Sequence, residues 1–279
     1  MKGIPSTLSV GLMLLVGVGC APTVHVTSLV SLDAVDSDQS VIEFLGEDAL
    51  VRHPYSVLGQ VFVEKRQFNM FDAKPTDEYL TDLMLEPASD LGADALIGFH
   101  SGLAGYDPRL KQKRYASALA VKFVDETTES ETDRLDLVVC LLPLLRPDSS
   151  ESTSVYDSQA LDAARYQLEK RGYFAIVPSE APSLTIQDLQ SAEDDTLRAI
   201  CGEQAGYVAI VSLDNEFLEV VVSAQLYSRI RRTVDWQGED AESTVVGINI
   251  VNQDRRWAIH RALRDAFENL APHYAEYGK

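Results

Sequence analysis

The histidines of this chain are the main candidates for metal binding or acid–base catalysis, because neutral imidazole is both a ligand and a base. No two histidines have the i, i+4 spacing of a helical zinc site, and the three cysteines form no CxxC pair. The histidines are His25, His53, His100, His260 and His273. The sequence therefore predicts no metal site.

Catalytic and cofactor motifs are also missing from the sequence. The segment from Gly98 to Gly102 has the outline of a nucleophile elbow, but His100 occupies the central position, where that motif needs serine. A polar strand end followed by a turn is the preferred interpretation. No GxGxxG or Walker A loop follows the first twenty residues, so no cofactor is predicted. The 43 acidic residues bring carboxylates together by number alone, and a cell-wall hydrolase is therefore only an alternative to a non-enzymatic protein.

Cys20 is the residue for which the sequence predicts a specific modification. An uncharged apolar run from Leu8 to Val18 follows the single cation Lys2, which is typical of a signal peptide. The run has about half of the ~20 apolar residues that a transmembrane helix needs, so we expect it to be cleaved rather than retained. An ordinary signal peptide that happens to contain Cys20 is one interpretation.

The end of this run, Val-Gly-Val-Gly-Cys at residues 16–20, resembles the lipobox of bacterial lipoproteins, although Gly17 stands where that family usually has leucine. The resemblance implies that residues 1–19 are removed and that the Cys20 thiol carries diacylglycerol, with palmitate-type chains. Two or three acyl chains, at ~0.8 kcal/mol per buried CH₂, hold a protein durably on a bilayer. Ala21 replaces the aspartate that commonly retains such proteins at the inner membrane. The resemblance therefore implies an outer-membrane lipoprotein that faces the periplasm.

The chain is strongly acidic, with a formal charge of −19. Cleavage of the signal peptide would remove Lys2 and make the net charge one unit more negative. Such a surface repels nucleic acid and anionic lipid headgroups, so the membrane contact is expected through the lipid alone. Cys140 and Cys201 could form one disulfide in an oxidising periplasm. We favour an unpaired core residue at Cys140, because it lies within an apolar run, but the sequence leaves the bridge open.

The periodicity of the chain predicts two small α+β or α/β domains, each a mixed sheet packed by helices. Residues 20–40 have no helical period and are interpreted as a lipidated tether. Residues 41–124 are expected to form a β-β-α-β-β unit whose helix begins at Thr76. Residues 125–134 are polar and acidic and are interpreted as a linker. Residues 135–279 are expected to form an α/β unit that ends in an amphipathic helix over about 254–271.

Both units resemble known families. Val57–Val61, a helix and the run Leu91–Gly98 resemble the small heavy-metal-binding-family and Rcs-sensor-type β-β-α-β-β domain. Leu168–Tyr173, Tyr207–Ser212 and Asp235–Gly238 resemble the periplasmic lipoprotein domain of the curli-secretion and TolB N-terminal type, over residues 135–271. The second resemblance implies a protein that binds other proteins or assembles into rings.

Candidate docking residues come from the second unit. The basic cluster of Arg229, Arg231 and Arg232 stands out in so acidic a chain and is either a solvated strand edge or a docking patch. We expect these residues to lie on or beside a strand that includes Arg231 to Trp236. For Trp236 we favour packing on the terminal helix, through Trp257 or Phe267, over an exposed interaction anchor.

The sequence therefore favours a non-enzymatic periplasmic adaptor or assembly factor, anchored in the membrane by its lipid. Its expected partners are envelope proteins, including further copies of the same chain, and not nucleic acid. A ligand-binding or stress-sensing lipoprotein is the alternative from a different class.

Overall fold

The computed structural model describes residues 21–29, 43–46, 54–67, 75–104, 113–124, 135–144, 154–215, 219–243, 251–273 and 275–276. Cys20, the predicted signal peptide and the predicted linker at 125–134 lie outside these ranges. In chain order the elements are β1 (Thr23–Ser28), β2 (Glu43–Gly46), β3 (Tyr55–Arg66), α1 (Asp77–Asp90), β4 (Ala95–Leu103), β5 (Lys113–Phe123), β6 (Leu135–Leu141), α2 (Ser154–Glu169), β7 (Phe174–Ile176), α3 (Ile186–Ser191), α4 (Asp194–Cys201), β8 (Ala205–Asn215), β9 (Glu219–Ser228), β10 (Thr233–Ser243), α5 (Val251–Ala266) and β11 (Ala275–Glu276).

The strands form two mixed sheets, which confirms the predicted fold class. The first sheet has the order β11-β1-β3-β5-β4-β2, with only β2 and β4 parallel. The second has the order β10-β9-β8-β6-β7, in which β6 is parallel to both of its neighbours. The predicted β-β-α-β-β order is present as β2-β3-α1-β4-β5. Thr76 caps α1 by accepting a hydrogen bond from the backbone N–H of Tyr79.

The expected tether is wrong for its first residues, because Thr23–Ser28 forms β1 and pairs with β3 along its whole length. Alternating β-branched residues in Thr-Val-His-Val-Thr favour a strand, and the lack of a helical period was compatible with this. The chain also returns to this sheet at its far end, where β11 pairs with β1. The predicted unit 135–279 therefore contributes a strand to the first sheet.

Two elements of the second unit differ from the sequence prediction. The helix expected over 192–204 is present as the shorter α4. The unpredicted helix α3 precedes it, because Thr185 and Asp188 form a capping box, and an extended Ala192 separates the two. The strand expected over Arg231–Trp236 begins only at Thr233. The preceding residues form a turn in which Arg232 has a φ of 56°.

The two sheets share a hydrophobic core. Ala95, Ile97, Leu119 and Val121 of the first sheet pack in one cluster with residues of β6, β7, β8 and α4. At Gly98 the backbone of the first sheet lies against the Phe174 ring of the second. The φ of this glycine is +64°, and a Cβ atom there would lie 2.8 Å from Cζ of Phe174 on β7. The opposite face of each sheet carries its own core, beneath α1 in the first sheet and beneath α2 and α5 in the second.

Cys140 and Cys201 form a disulfide that joins β6 to the end of α4, with Cα atoms 5.3 Å apart. The preference for an unpaired thiol at Cys140 is therefore wrong, although Cys140 does lie fully buried in the core, as its apolar neighbours predicted. Within the described ranges, every helix is too short or too polar to cross a membrane.

Candidate functional site

A layer of polar side chains lies between the first sheet and the end of α2, and we call it the buried polar layer. It consists of residues on alternating positions of β1, β3, β4 and β5, together with the side chains of α2, and of the residue that follows it, that cover them. Its members are His25, Gln60, Glu64, His100, Lys113, Ser117, Arg165, Tyr166, Glu169 and Lys170. Strand alternation produces the layer, because the intervening residues of the same strands face the apolar core beneath α1.

His100 and Glu169 form a buried ionisable pair in the layer. Nε2 of His100 lies 2.6 Å from Oε2 of Glu169, and the two residues are 7% and 0% exposed. The other carboxylate oxygen of Glu169 accepts a hydrogen bond from Arg165, one turn earlier on α2, at 3.3 Å. The buried Glu169 carboxylate is thus held by two partners, as a buried charge requires.

Gln60 joins β3 to the loop after α2. Its Nε2 donates to Oγ of Ser117 at 2.8 Å and to the carbonyl oxygen of Tyr173 at 3.3 Å. Because Gln60 is 1% exposed, these bonds replace those that its amide NH2 group would make to water. The amide therefore fixes the position of the second unit relative to the first sheet.

Glu64, Tyr166 and Lys113 form a second group in the layer. The hydroxyl of Tyr166 donates to Glu64, and Nζ of Lys113 lies 2.5 Å from the other carboxylate oxygen. Burial, and then the charge of Glu64, raises the pKa of Tyr166 above its ordinary value. Burial also lowers the pKa of Lys170, which lies over the Tyr166 ring. Tyr166 is therefore a fixed neutral donor and not a base.

His25 places a second histidine in the layer. Its ring stacks on Phe62 with centroids 5.7 Å apart, and burial lowers its pKa below the ordinary value. The structure thus brings His25 and His100 to the same face of one sheet. Their spacing of 75 positions in the sequence gave no sign of this.

Arg229 does not lie on a docking surface. It is 3% exposed, and its guanidinium donates to the carbonyl oxygens of Gly202 at 2.9 Å and Ala205 at 2.7 Å. An ion pair to Asp194 completes this set. The predicted docking role is wrong for Arg229, because its guanidinium is buried and joins α4 to β8.

Arg231 and Arg232 are exposed but are held in place by their neighbours. Arg231 donates to the hydroxyl of Tyr207 at 2.8 Å and forms an ion pair with Asp235. Arg232 donates to the carbonyl oxygens of Gln190 and Ala192. Both residues lie in the turn before β10 and not on one strand. Their role in docking stays a prediction.

Trp236 packs as predicted on the C-terminal part of the chain. Its ring stacks on Phe267 with centroids 5.1 Å apart. It is partly buried at the margin of the second core and is not an exposed anchor.

Asp240, Glu242 and Asp265 are the group of described residues whose oxygen atoms could surround a cation, since these lie within 4.8 Å of one another. Two of the three already have cationic partners. Arg261 lies 2.7 Å from Glu242, and Arg264 lies 2.6 Å from Asp265. Burial raises the pKa of the third member, Asp240, above its ordinary value.

No family profile matches this chain, and no curated protein matches it in sequence. Parts of it are similar to solved structures of bacterial proteins. The PelC dodecamer from Paraburkholderia phytofirmans aligns at 12% identity over 47% of this chain and 85% of that chain, with a TM-score of 0.31. The lipoprotein GNA1162 from Neisseria meningitidis aligns at 15% identity over 41% and 88%, with a TM-score of 0.30. The LpoB C-terminal domain from Escherichia coli aligns at 14% identity over 38% and 82%, with a TM-score of 0.25.

The buried polar layer was missed in the sequence although its signal is present there. Gln60 and Glu64 interrupt an otherwise apolar strand at even spacing, and Ser117 and Tyr115 do the same on the neighbouring strand. Polar residues at period two on a buried strand indicate a polar face that something must cover. The covering residues, Tyr166 and Glu169, could not be matched to these strands by spacing.

Proposed function

We propose that the protein is an exported, lipid-anchored envelope protein that acts through contacts with other proteins and not as an enzyme. The disulfide between Cys140 and Cys201 carries the first half of this proposal. Disulfides persist in oxidising compartments such as the periplasm and are rare where thiols are kept reduced. This support is independent of the first twenty residues, whose pattern indicates export and acylation of Cys20.

The second half rests on how the charged groups are used. The strongest candidates for chemistry form two buried pairs between the two units, His100 with Glu169 and Tyr166 with Glu64. A catalytic group must reach a substrate, whereas these side chains hold one part of the protein against another. An anchored adaptor or assembly factor at the outer membrane needs this rigidity and needs no catalytic group.

The anchor is tested by replacing Cys20 with serine in cells labelled with a radioactive fatty acid. We expect Cys20→Ser to lose the label and to leave the membrane fraction, or to remain unprocessed, because no thiol is available for acylation. Ala21→Ser, which places the same side chain at the next, exposed position, is the matched control and should keep the label. A Cys20→Ser protein that is correctly cleaved and still membrane-bound would refute the anchor.

A stress-sensing lipoprotein is a second candidate, and the buried polar layer favours it. The layer joins the two units through titratable groups, and burial keeps the pKa of His25 low, so acid would add charge to a closed interface. The protection factors of α2 amides, in which the pH dependence of free-amide exchange is divided out, should then fall between pH 7 and pH 5 more than those of α1. Equal changes at the two helices would contradict the sensor function and leave the adaptor function as the one proposal.

A further inference from the structure

Strand β10 differs from the other strands that end the two sheets. β11, β2 and β7 contain 2, 4 and 3 residues, whereas β10 contains 11. Its inner side pairs with β9 from Thr233 to Ser243, with one register shift, near Val234. No described strand pairs with its outer side. Short strands blunt a sheet edge, so β10 is the long edge among the strands that the structure describes.

The shape of β10 is fixed from beneath by α5 and the residues that follow it. Trp236 stacks on Phe267, and a Cβ atom at Gly238 would lie 1.9 Å from the carbonyl oxygen of Ala266. Gly238 is therefore needed for the backbone to approach this closely. A strand held in this way loses little conformational entropy when a further strand pairs with it.

The charge of β10 selects what could pair with it. The strand carries Asp235, Glu239, Asp240 and Glu242 and contains no lysine, arginine, histidine or proline. Proteins commonly protect long edges with charged side chains, proline or bulges. From Trp236 to Ser243 the strand has no proline and no register shift, so its acidic side chains are its protection. Negative charge repels acidic strands but not basic ones. A second copy would also oppose like charges across the new pair, in a chain of charge −19.

We propose that the outer edge of β10 binds an extended, basic segment of a partner protein, which adds a sixth strand to the second sheet. This rests on the proposed role in protein contacts and names the class of partner. Backbone hydrogen bonds supply the pairing, and lysine or arginine side chains at alternate positions face Glu239 on the exposed side of the strand. Glu239 suits this role because it is exposed, whereas Asp235 and Glu242 already have Arg231 and Arg261 as partners.

The test uses the full chain purified in non-ionic detergent and a labelled nine-residue peptide with lysine at every second position and valine or threonine between. Fluorescence anisotropy at ~0.15 M salt gives the dissociation constant, since stronger screening would hide the charge effect. We expect binding that weakens at least about tenfold when alternate amides of the peptide are N-methylated, because methylation removes the pairing donors. A glutamate version of the peptide should not bind.

Glu239→Lys should weaken binding of the lysine peptide about fivefold, since it places like charges opposite one another. Glu203→Lys changes the net charge equally at another exposed site and should have little effect. Equal weakening by both variants, or equal binding of the N-methylated peptide, would reduce the interaction to general charge attraction and overturn the proposal. Self-association through cross-links at β10 would overturn it in favour of a second copy. If the peptide test fails but a partner is still captured in cells, the β10 site is overturned and the proposed adaptor function stands.

Discussion

The imidazole Nε2 of His100 lies 2.6 Å from Oε2 of Glu169, and this contact joins strand β4 of the first sheet to helix α2 of the second unit. The other ring nitrogen of His100 faces the carbonyl oxygen of Gly98 at 3.3 Å. Both nitrogens therefore face oxygen atoms in a region closed to water. The pair is a structural connection, so its removal should lower the free energy of unfolding of the whole protein.

We expect His100→Ala to reduce the free energy of unfolding by about 3–5 kcal/mol, because it leaves the Glu169 carboxylate buried with one partner fewer. Urea denaturation followed by circular dichroism measures this. Arg198→Ala is the control, since it breaks the more exposed pair to Asp194 and should cost at most about 1 kcal/mol. Equal losses in the two variants would show that the His100–Glu169 contact adds nothing.

Gly98 allows the packing of the two sheets to be tested against the side chain of Phe174. Its φ is +64°, so alanine there should cost about 1–2 kcal/mol for the left-handed backbone alone. The new methyl group would also lie 2.8 Å from Cζ of Phe174. We expect Gly98→Ala to cost about 1–3 kcal/mol more in the unchanged protein than in a Phe174→Leu background in the same denaturation experiment, because only the phenyl ring meets the methyl group. Equal costs in the two backgrounds would mean that β4 and β7 are not in close contact in solution.

His260 on α5 makes stability depend on pH. Burial lowers its pKa to about 4, well below the value of an unfolded chain. Because the unfolded state binds the proton first, stability is highest above the unfolded pKa of about 6.5 and falls as pH decreases toward about 4. The loss over this window is at most about 3 kcal/mol.

The variant His260→Gln should flatten the stability profile between pH 7 and pH 5, as measured by urea denaturation at each pH. It should not abolish the slope, since the pKa values of His25 and His273 are also lowered by burial. A profile as steep as that of the unchanged protein would assign the acid sensitivity to other groups.

The sequence predicted elements whose signals are local. Thr76 with Asp77 and Glu78 marks the start of α1, and Gly172 marks the turn after α2, where its φ is 87°. It failed where distant residues decide the outcome. The burial of Arg229 depends on carbonyl groups at Gly202 and Ala205, which no pattern in the sequence relates to it.

The same limit applies to strands and to the candidate site. The segment Thr23–Ser28 has the composition of a strand, but its partner strand begins more than twenty-five residues later. The buried polar layer needs both units at once, so its two halves appear in the sequence only as unexplained polar residues. A surface such as the β10 edge is visible only after the strand order is known.

The disulfide should stabilise the chain mainly by restricting its unfolded state. Cys140 and Cys201 are 61 positions apart, for which chain entropy predicts about 4 kcal/mol. We expect the double variant with alanine at both positions to lose stability of this order and to become insensitive to dithiothreitol. If the reductant leaves the unchanged protein as stable as before, the bond does not form or does not matter.

The last prediction concerns the predicted linker at residues 125–134. A specific protease site inserted there should be cut without separating the two parts, because residues of both sheets share one core. The return of the chain at β11 adds a second connection, since its pairing with β1 ties the end of the chain to the first sheet. Gel filtration should therefore show one species after cleavage, and denaturation should show one transition.

A substitution inside the shared core provides the sharper form of this test. Ile97→Asp places a charge between the sheets, where Ile97 is 6% exposed, and should release or unfold both fragments of the cut chain. Leu103→Asp lies on the same strand, but Leu103 is 53% exposed, so this variant should leave the cut complex intact. Two fragments that separate and each keep a cooperative transition would instead establish independent domains. The buried polar layer would then be a contact that the protein can open.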